Sequence, residues 1–253
     1  MFESRRAQAR LRTLAIVAAL AAAAVVAAYA LLSHGYIRFV YPAWTEFPVR
    51  GVDISHHNGR VDWTRVRAAG YQFAYLKATE GATFRDSTYL RNRDAARRAG
   101  FVTGPYHFFT LCTPGRAQAQ NLLSAQPGDA GASLPPGVDL EFGGNCGARP
   151  PRDSVLAEVG RFLAVIDSAY GRPAVLYVTR EFHAAYLQGG ADHPLWVRSV
   201  FTRPRFGREW VFWQYAATAR VPGARGRTDL NVFRGTQAEF DALVRNHLRP
   251  TKD

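Results

Sequence analysis

Cysteine is nearly absent from this chain: only Cys112 and Cys146 occur in 253 residues, beside a single methionine. With no third cysteine and no spaced histidines next to them, no metal site is expected, and no cofactor is. Acidic residues are also scarce, 20 against 32 lysines and arginines, for a formal charge of +12. No internal repeat is present, which excludes a repeat array, and no low-complexity tract occurs beyond an alanine-rich stretch near the N-terminus. Long uncharged apolar runs are missing too, with one exception.

That exception lies between Leu14 and Leu32, preceded by Arg5, Arg6, Arg10 and Arg12. About 19 residues at 1.5 Å rise approach the ~30 Å of a bilayer core. A basic flank (1–12), a transmembrane segment (13–32), a linker (33–48) and one folded domain (49–250) are expected. The basic flank places that domain outside the cytoplasm by the positive-inside rule, anchored to the inner membrane in the cell envelope. Ala28-Tyr29-Ala30 also resembles a signal-peptidase site, and cleavage there would make the domain secreted. Four arginines and Glu3 set the flank at +3, so the exported part keeps +9 of the total +12. Such a surface suits an acidic polymer or an anionic membrane, and nucleic acid is not an expected partner there. In an oxidising compartment Cys112 and Cys146 form a candidate disulfide, and closing a loop of about 35 residues contributes roughly 3–4 kcal/mol in the chain-entropy model.

Short β-branched or aromatic runs alternate with helical patterns. Strands are expected at Val49–Ile54, Phe73–Ala78, Val102–Phe109, Gly137–Phe142, Ala174–Thr179, Leu195–Arg198, Trp210–Tyr215 and Asp229–Phe233. Helices are expected at Trp63–Ala69, Ser87–Ala99, Arg116–Ala125, Asp153–Tyr170 and Glu181–Leu187. A last helix starts at the capping box Thr236-Gln-Ala-Glu239 and runs to Leu248. The alternation is the mark of β-α units around a parallel sheet. Helices thin out after the fifth strand, so the prediction is an irregular TIM-like β/α barrel of eight strands with few helices in its C-terminal half.

Active sites of such barrels lie at the C-terminal ends of the strands. Asp53 closes the first strand, and Lys77 and Glu80 close the second. Tyr106 and His107 lie in the third, Tyr177 in the fifth, and Trp213, Gln214 and Tyr215 in the seventh. Asp139 and Glu141, spaced i, i+2, project to one face of the fourth strand, where like charges drive their pKa values apart. Asp229 and Asn231 occupy the last strand, a neighbour of the first in a closed barrel. Acids at the first, fourth and eighth strands point to paired-carboxylate chemistry. His56, His57 and His107 read as structural or solvated, and Glu80-Gly81 as a turn.

The ordered segments GVDISHHNG, YLKATEG, FRD, GFVTGPYHFF, VDLE, VLYV, WQYA and TDLNVF resemble glycoside hydrolase family 25, the lysozymes, from about Arg50 to Phe233. The resemblance implies hydrolysis of the β-1,4 bond between N-acetylmuramic acid and N-acetylglucosamine in a peptidoglycan glycan strand. It implies that Glu141 is the general acid, with Asp139 its partner and Asp53 and Asp229 completing the catalytic set. Tyr106, Tyr177, Lys77, Trp196, Trp213, Gln214 and Tyr215 are the expected substrate-binding residues, in a monomer. Where the family often carries a small residue and then Tyr after Leu195-Trp196, this chain has Val197-Arg198-Ser199-Val200, so one rim of the cleft is expected to differ. The competing expectation is a peptidoglycan-binding barrel without activity.

Overall fold

A computed structural model describes residues 2–126, 133–188, 192–206 and 209–245. Its centre is a closed barrel. Strands β1 (Arg50–Ile54), β2 (Phe73–Glu80), β4 (Val102–Phe108), β5 (Gly137–Leu140), β6 (Val175–Val178), β7 (Leu195–Arg198), β8 (Phe212–Ala219) and β9 (Thr228–Phe233) pair in that order, and β9 closes onto β1. A two-residue strand β3 (Phe84–Arg85) folds back on the end of β2. This small hairpin lies in the segment FRD, which carries no strand pattern of its own.

One barrel strand departs from the parallel sheet expected. β9 runs antiparallel to both β8 and β1. Only Arg220–Arg227 separates β8 from β9, too short for the crossover of a dozen or more residues that a parallel pair needs. The link therefore closes as a hairpin, and β8 extends to Ala219, beyond the expected end at Tyr215. β5, in contrast, stops at Leu140, two residues before the expected end.

Helices α2 (Trp63–Ala68), α3 (Tyr89–Arg98), α4 (Gly115–Ala125) and α5 (Arg152–Tyr170) cover the first half of the barrel. After β6 the helical layer shrinks to α6 (Arg180–Phe182), which continues as a π-helical turn over His183–Leu187. α7 (Gln237–Arg245) closes the chain as described; residues 246–248 of the expected last helix lie outside the described residues. The capping box forms as expected, with the Thr236 amide and hydroxyl donating to Glu239.

Strand alternation divides the apolar residues into two cores. Residues pointing outward pack under the helices in the larger one. Inside the barrel, Phe73, Tyr75, Tyr177, Trp196, Phe212 and Phe233 interdigitate, and Phe240 and Val244 of α7 plug the pole where the parallel strands begin. Glycines make room for these rings. A Cβ at Gly51 would fall 2.3 Å from the Phe73 ring, and one at Gly104 would fall 3.0 Å from the Tyr75 ring. Tyr75 stacks on Trp196 with centroids 4.5 Å apart, and Trp196 lines the opposite mouth.

Ahead of the barrel stands α1 (Phe2–Ser33), which takes in both the expected basic flank and the apolar run. Its segment Arg10–Ser33 has mean hydropathy 2.5, none of it buried, and is long and apolar enough to cross a membrane. Residues 34–48 do not hang free as a linker. Phe47 is buried against Trp210 and Trp213, and Arg50 stacks 3.8 Å over the Trp44 ring.

Candidate active site

Three strand ends and one strand start place the acids. Asp53 lies next to last in β1, and Asp139 next to last in β5. Glu141 follows one residue after β5, on the same side as Asp139. Asp229 is the second residue of β9, yet it sits directly opposite Asp53 because β9 is antiparallel. A start and an end thus meet at one mouth. All four acids line one cavity of about 430 Å³, together with Lys77, Tyr106, Tyr177, Trp196 and Gln214. A larger cavity of about 730 Å³ lies on the flank between Arg60, Trp63 and Arg98, with Asp62 as its sole acid. Volume alone does not mark the site; the convergence of carboxylates does.

Asp53 is held from two directions. Tyr177 Oη donates to Gln214 Oε1 at 2.9 Å, and Gln214 Nε2 donates to Asp53 Oδ2 at 3.0 Å. Trp196 Nε1 donates to Asn231 Oδ1 at 2.8 Å, and Asn231 Nδ2 donates to the same Asp53 Oδ2 at 2.7 Å. Each relay runs from an aromatic donor through an amide whose orientation that donor fixes. Asn231 is buried and was absent from the expected binding set; its place on β9, two residues from Asp229, is the signal that finds it.

Burial raises the pKa of all four acids above ordinary carboxylate values. Burial raises Asp53, and hydrogen bonds from the Asn231, Gln214 and Asp229 side chains oppose that rise. Asp229 rises well above the usual range, through burial and then the neighbouring Asp53 charge. Asp139 is also pushed well up, by burial and then by Glu141. Its Oδ1 is buried with no hydrogen-bond partner, so the carboxyl keeps a free acceptor beside the cavity. Glu141 rises through burial, and the Arg198 charge opposes that rise. The shared environment favours the protonated form of each carboxyl, the direction a general acid needs.

Arg198, the residue at which the rim was expected to differ, ends β7 two positions after Trp196, and its charge lowers the pKa of each of the four acids. Lys77 Nζ pairs with Glu80 Oε2 at 2.6 Å. Glu80, expected as a turn residue, is thus the last residue of β2 and part of the cavity wall. His57 also lines the wall. His56 binds Asp86 at 3.0 Å, and the buried His107 bridges Thr79 and Gln118. Burial lowers the His107 pKa to about 4, so it is a neutral structural imidazole at pH 7.

Trp213 and Tyr215 do not reach the cavity. They flank Gln214, and strand alternation turns them to the outer face, where Trp213 packs on Phe47 and donates to the Ser199 carbonyl at 2.8 Å. Tyr215 joins the same outer core. Their expected role against sugar is corrected to barrel packing. The cysteines are joined: Cys112 and Cys146 form a disulfide between the loops after β4 and β5. Asn145 beside it donates to the Phe109 and Glu141 carbonyls and accepts from the Leu111 amide, which fixes the loop bearing Glu141.

A closed barrel whose mouth gathers four carboxyls raised by burial beside aromatic rings is a glycosidase-type site. The comparisons with known proteins give the family. The model of glycosyl hydrolases family 25 matches residues 52–224, and the chain belongs to that family. It is similar to lysozyme M1 of Streptomyces globisporus, 34% identical over 83% of this chain and 75% of the relative. Among solved structures, a family 25 glycosyl hydrolase from Bacillus anthracis superposes with a TM-score of 0.77 at 29% identity, covering 83% of this chain and 99% of the other. A bacterial lysozyme from Streptomyces coelicolor gives a TM-score of 0.68 at 32% identity over 79% and 98%. The chain is a glycoside hydrolase.

Proposed function

We propose that the protein is a lysozyme, which cleaves the β-1,4 bond between N-acetylmuramic acid and N-acetylglucosamine in peptidoglycan. The observation that carries this reading is the convergence of Asp53, Asp139, Glu141 and Asp229 on one cavity from four separate stretches of chain. The names of the relatives support the same substrate.

Glu141 acts as general acid. It is only partly buried, and burial raises its pKa, which favours the protonated form that the leaving oxygen requires. Asp139, with a free Oδ1, accepts from the N–H of the 2-acetamido group and orients its carbonyl oxygen against the anomeric carbon. That oxygen is the internal nucleophile, a substrate-assisted route known among glycosidases. Loss of its proton leaves Glu141 as the base that then activates water. Asp53 and Asp229, sharing a hydrogen bond, hold the sugar from the far side. Tyr106 and Trp196 supply flat faces for the pyranose rings. α1 anchors the barrel in the membrane, with the site outside the cytoplasm.

Glu141→Gln keeps the shape and removes the donor. Muropeptide release from purified sacculi is expected to fall by about 100- to 10,000-fold, the usual worth of a general acid. Near-normal release would refute the assignment. Proton NMR of the first product should show the β-anomer, and an initial α-anomer would instead indicate direct attack by water that Asp53 or Asp229 activates.

A further inference from the structure

The stretch between α1 and β1 is fastened to the barrel along its length. Gly35 has a φ of 74°, and a Cβ there would lie 1.7 Å from the Thr218 carbonyl oxygen, so glycine alone permits this approach. Beside it Arg220 Nε donates to the His34 carbonyl at 2.9 Å, and its guanidinium stands 4.3 Å from the Tyr36 ring. Further along, the Phe39 ring lies 4.9 Å from Phe201 in the β7–β8 loop, and Glu46 pairs with Arg203. A segment held at so many points does not swing.

Its upper end meets the barrel at the catalytic mouth. Thr218 precedes Ala219, which pairs with Thr228, the neighbour of Asp229. At ~3.3 Å per residue and ~4.8 Å between strands, the backbones of Thr218 and Asp229 lie within roughly 10 Å. The opposite pole carries the α7 plug.

The candidate span of α1, Arg10–Ser33, has 24 residues and opens on Arg10 and Arg12. It is therefore about 36 Å long, slightly more than the ~30 Å hydrocarbon core. Ser33 then emerges among the headgroups, with Gly35 two residues on. At that level stand exposed Tyr36, Ile37 and Phe39, and Phe201 at 68% exposure. Among the described residues beyond α1, the large apolar side chains exposed elsewhere than residues 36–44 and Phe201 are Phe84 and Leu90. Arg220 stands against the Tyr36 ring, Arg38 lies 4.7 Å from the exposed Tyr41 ring, and Arg203 follows Phe201 by two residues. Rings and guanidinium groups together are the composition that a headgroup layer favours.

We propose that Tyr36, Ile37, Phe39 and Phe201 rest on the anionic headgroup layer of the bilayer that α1 spans, so that the acid-lined mouth is held beside the membrane. This inference rests on the anchor reading of α1. It confines the enzyme to glycan lying against the bilayer.

The test uses the full chain in phosphatidylethanolamine–phosphatidylglycerol vesicles with a nitroxide at F201C; the native cysteines are paired and do not react. Power-saturation spectroscopy should show this label more accessible to oxygen than to a nickel chelate. A control label at R91C on α3 should show the reverse. G35A, whose added Cβ opens the junction, should turn the 201 label aqueous and leave hydrolysis of soluble glycan fragments unchanged. An aqueous label at 201 in the inserted G35 parent overturns the proposal, as does a label that stays among lipid in G35A. Immobilisation of the label by soluble glycan would assign the rings to the substrate and also overturn it. A chain that fails to float with vesicles refutes the anchor itself, which separates that failure from failure of the patch.

Discussion

Asp139 shows how the site trades stability for chemistry. Its carboxyl is buried, faces Glu141, and leaves one oxygen without a partner. Below the ordinary Asp value of 3.8 the group is neutral folded or unfolded and costs nothing. As pH rises past that value the unfolded chain ionises first, so the native state loses stability until its own raised pKa is passed. Asp139→Asn removes this loss. The variant should melt higher than the parent at pH 7, by about 2–4 °C for each kcal/mol relieved, with the gap closing towards pH 3. Calorimetry across that range checks it, and a gap that widens on acidification would contradict the electrostatic account. Lysis by this variant should fall together with the gain in stability. Asp86 behaves oppositely: burial opposes its charge, yet hydrogen bonds from Thr88 and His56 hold its pKa below the usual range.

At the scale of elements, the barrel owes its narrow interior to glycines opposite rings. Gly51 on β1 faces the Phe73 side chain, which is fully buried and also packs on Phe212 and Phe240. That ring has nowhere to move. Gly51→Ala should lower unfolding stability by about 1–3 kcal/mol, the usual cost of overpacking, read as a shifted denaturant midpoint with unchanged slope. An unshifted midpoint would show that the barrel floor relaxes. The elements were also where sequence patterns served best and failed most visibly. Each of the eight strands appears near its expected place. Yet the direction of β9 was not written in its own six residues; it followed from the short β8–β9 link. Trp213 and Tyr215 were misassigned for a related reason. A run of polar and aromatic residues near a strand end does not say which member faces the lumen until Gln214 is fixed inward by Asp53 and Tyr177.

For the whole molecule, the excess of 32 basic over 20 acidic residues adds a long-range term. An acidic wall polymer should be drawn to such a surface through ions that salt screens, with a Debye length of ~10 Å at 0.1 M and ~3 Å at 1 M. The detergent-solubilised full chain should therefore clear sacculi more slowly as salt rises over that range. Its turnover of small uncharged glycan fragments should change little. Equal salt sensitivity on both substrates would place the effect in the acid cluster instead.

The sequence by itself determined the period-2 and 3.6-residue patterns, the apolar helix and the acids in or beside strands, because these depend on neighbours within a few positions. Family membership came with them, through ordered short segments. Only tertiary structure decided that Asp229 meets Asp53, that Asn231 and Gln214 aim their amides at one oxygen, and that the supposed linker is bound to β8. Those facts arise from contacts between residues more than 150 positions apart, 178 for Asn231 and Asp53, and the closed barrel alone sets such distances.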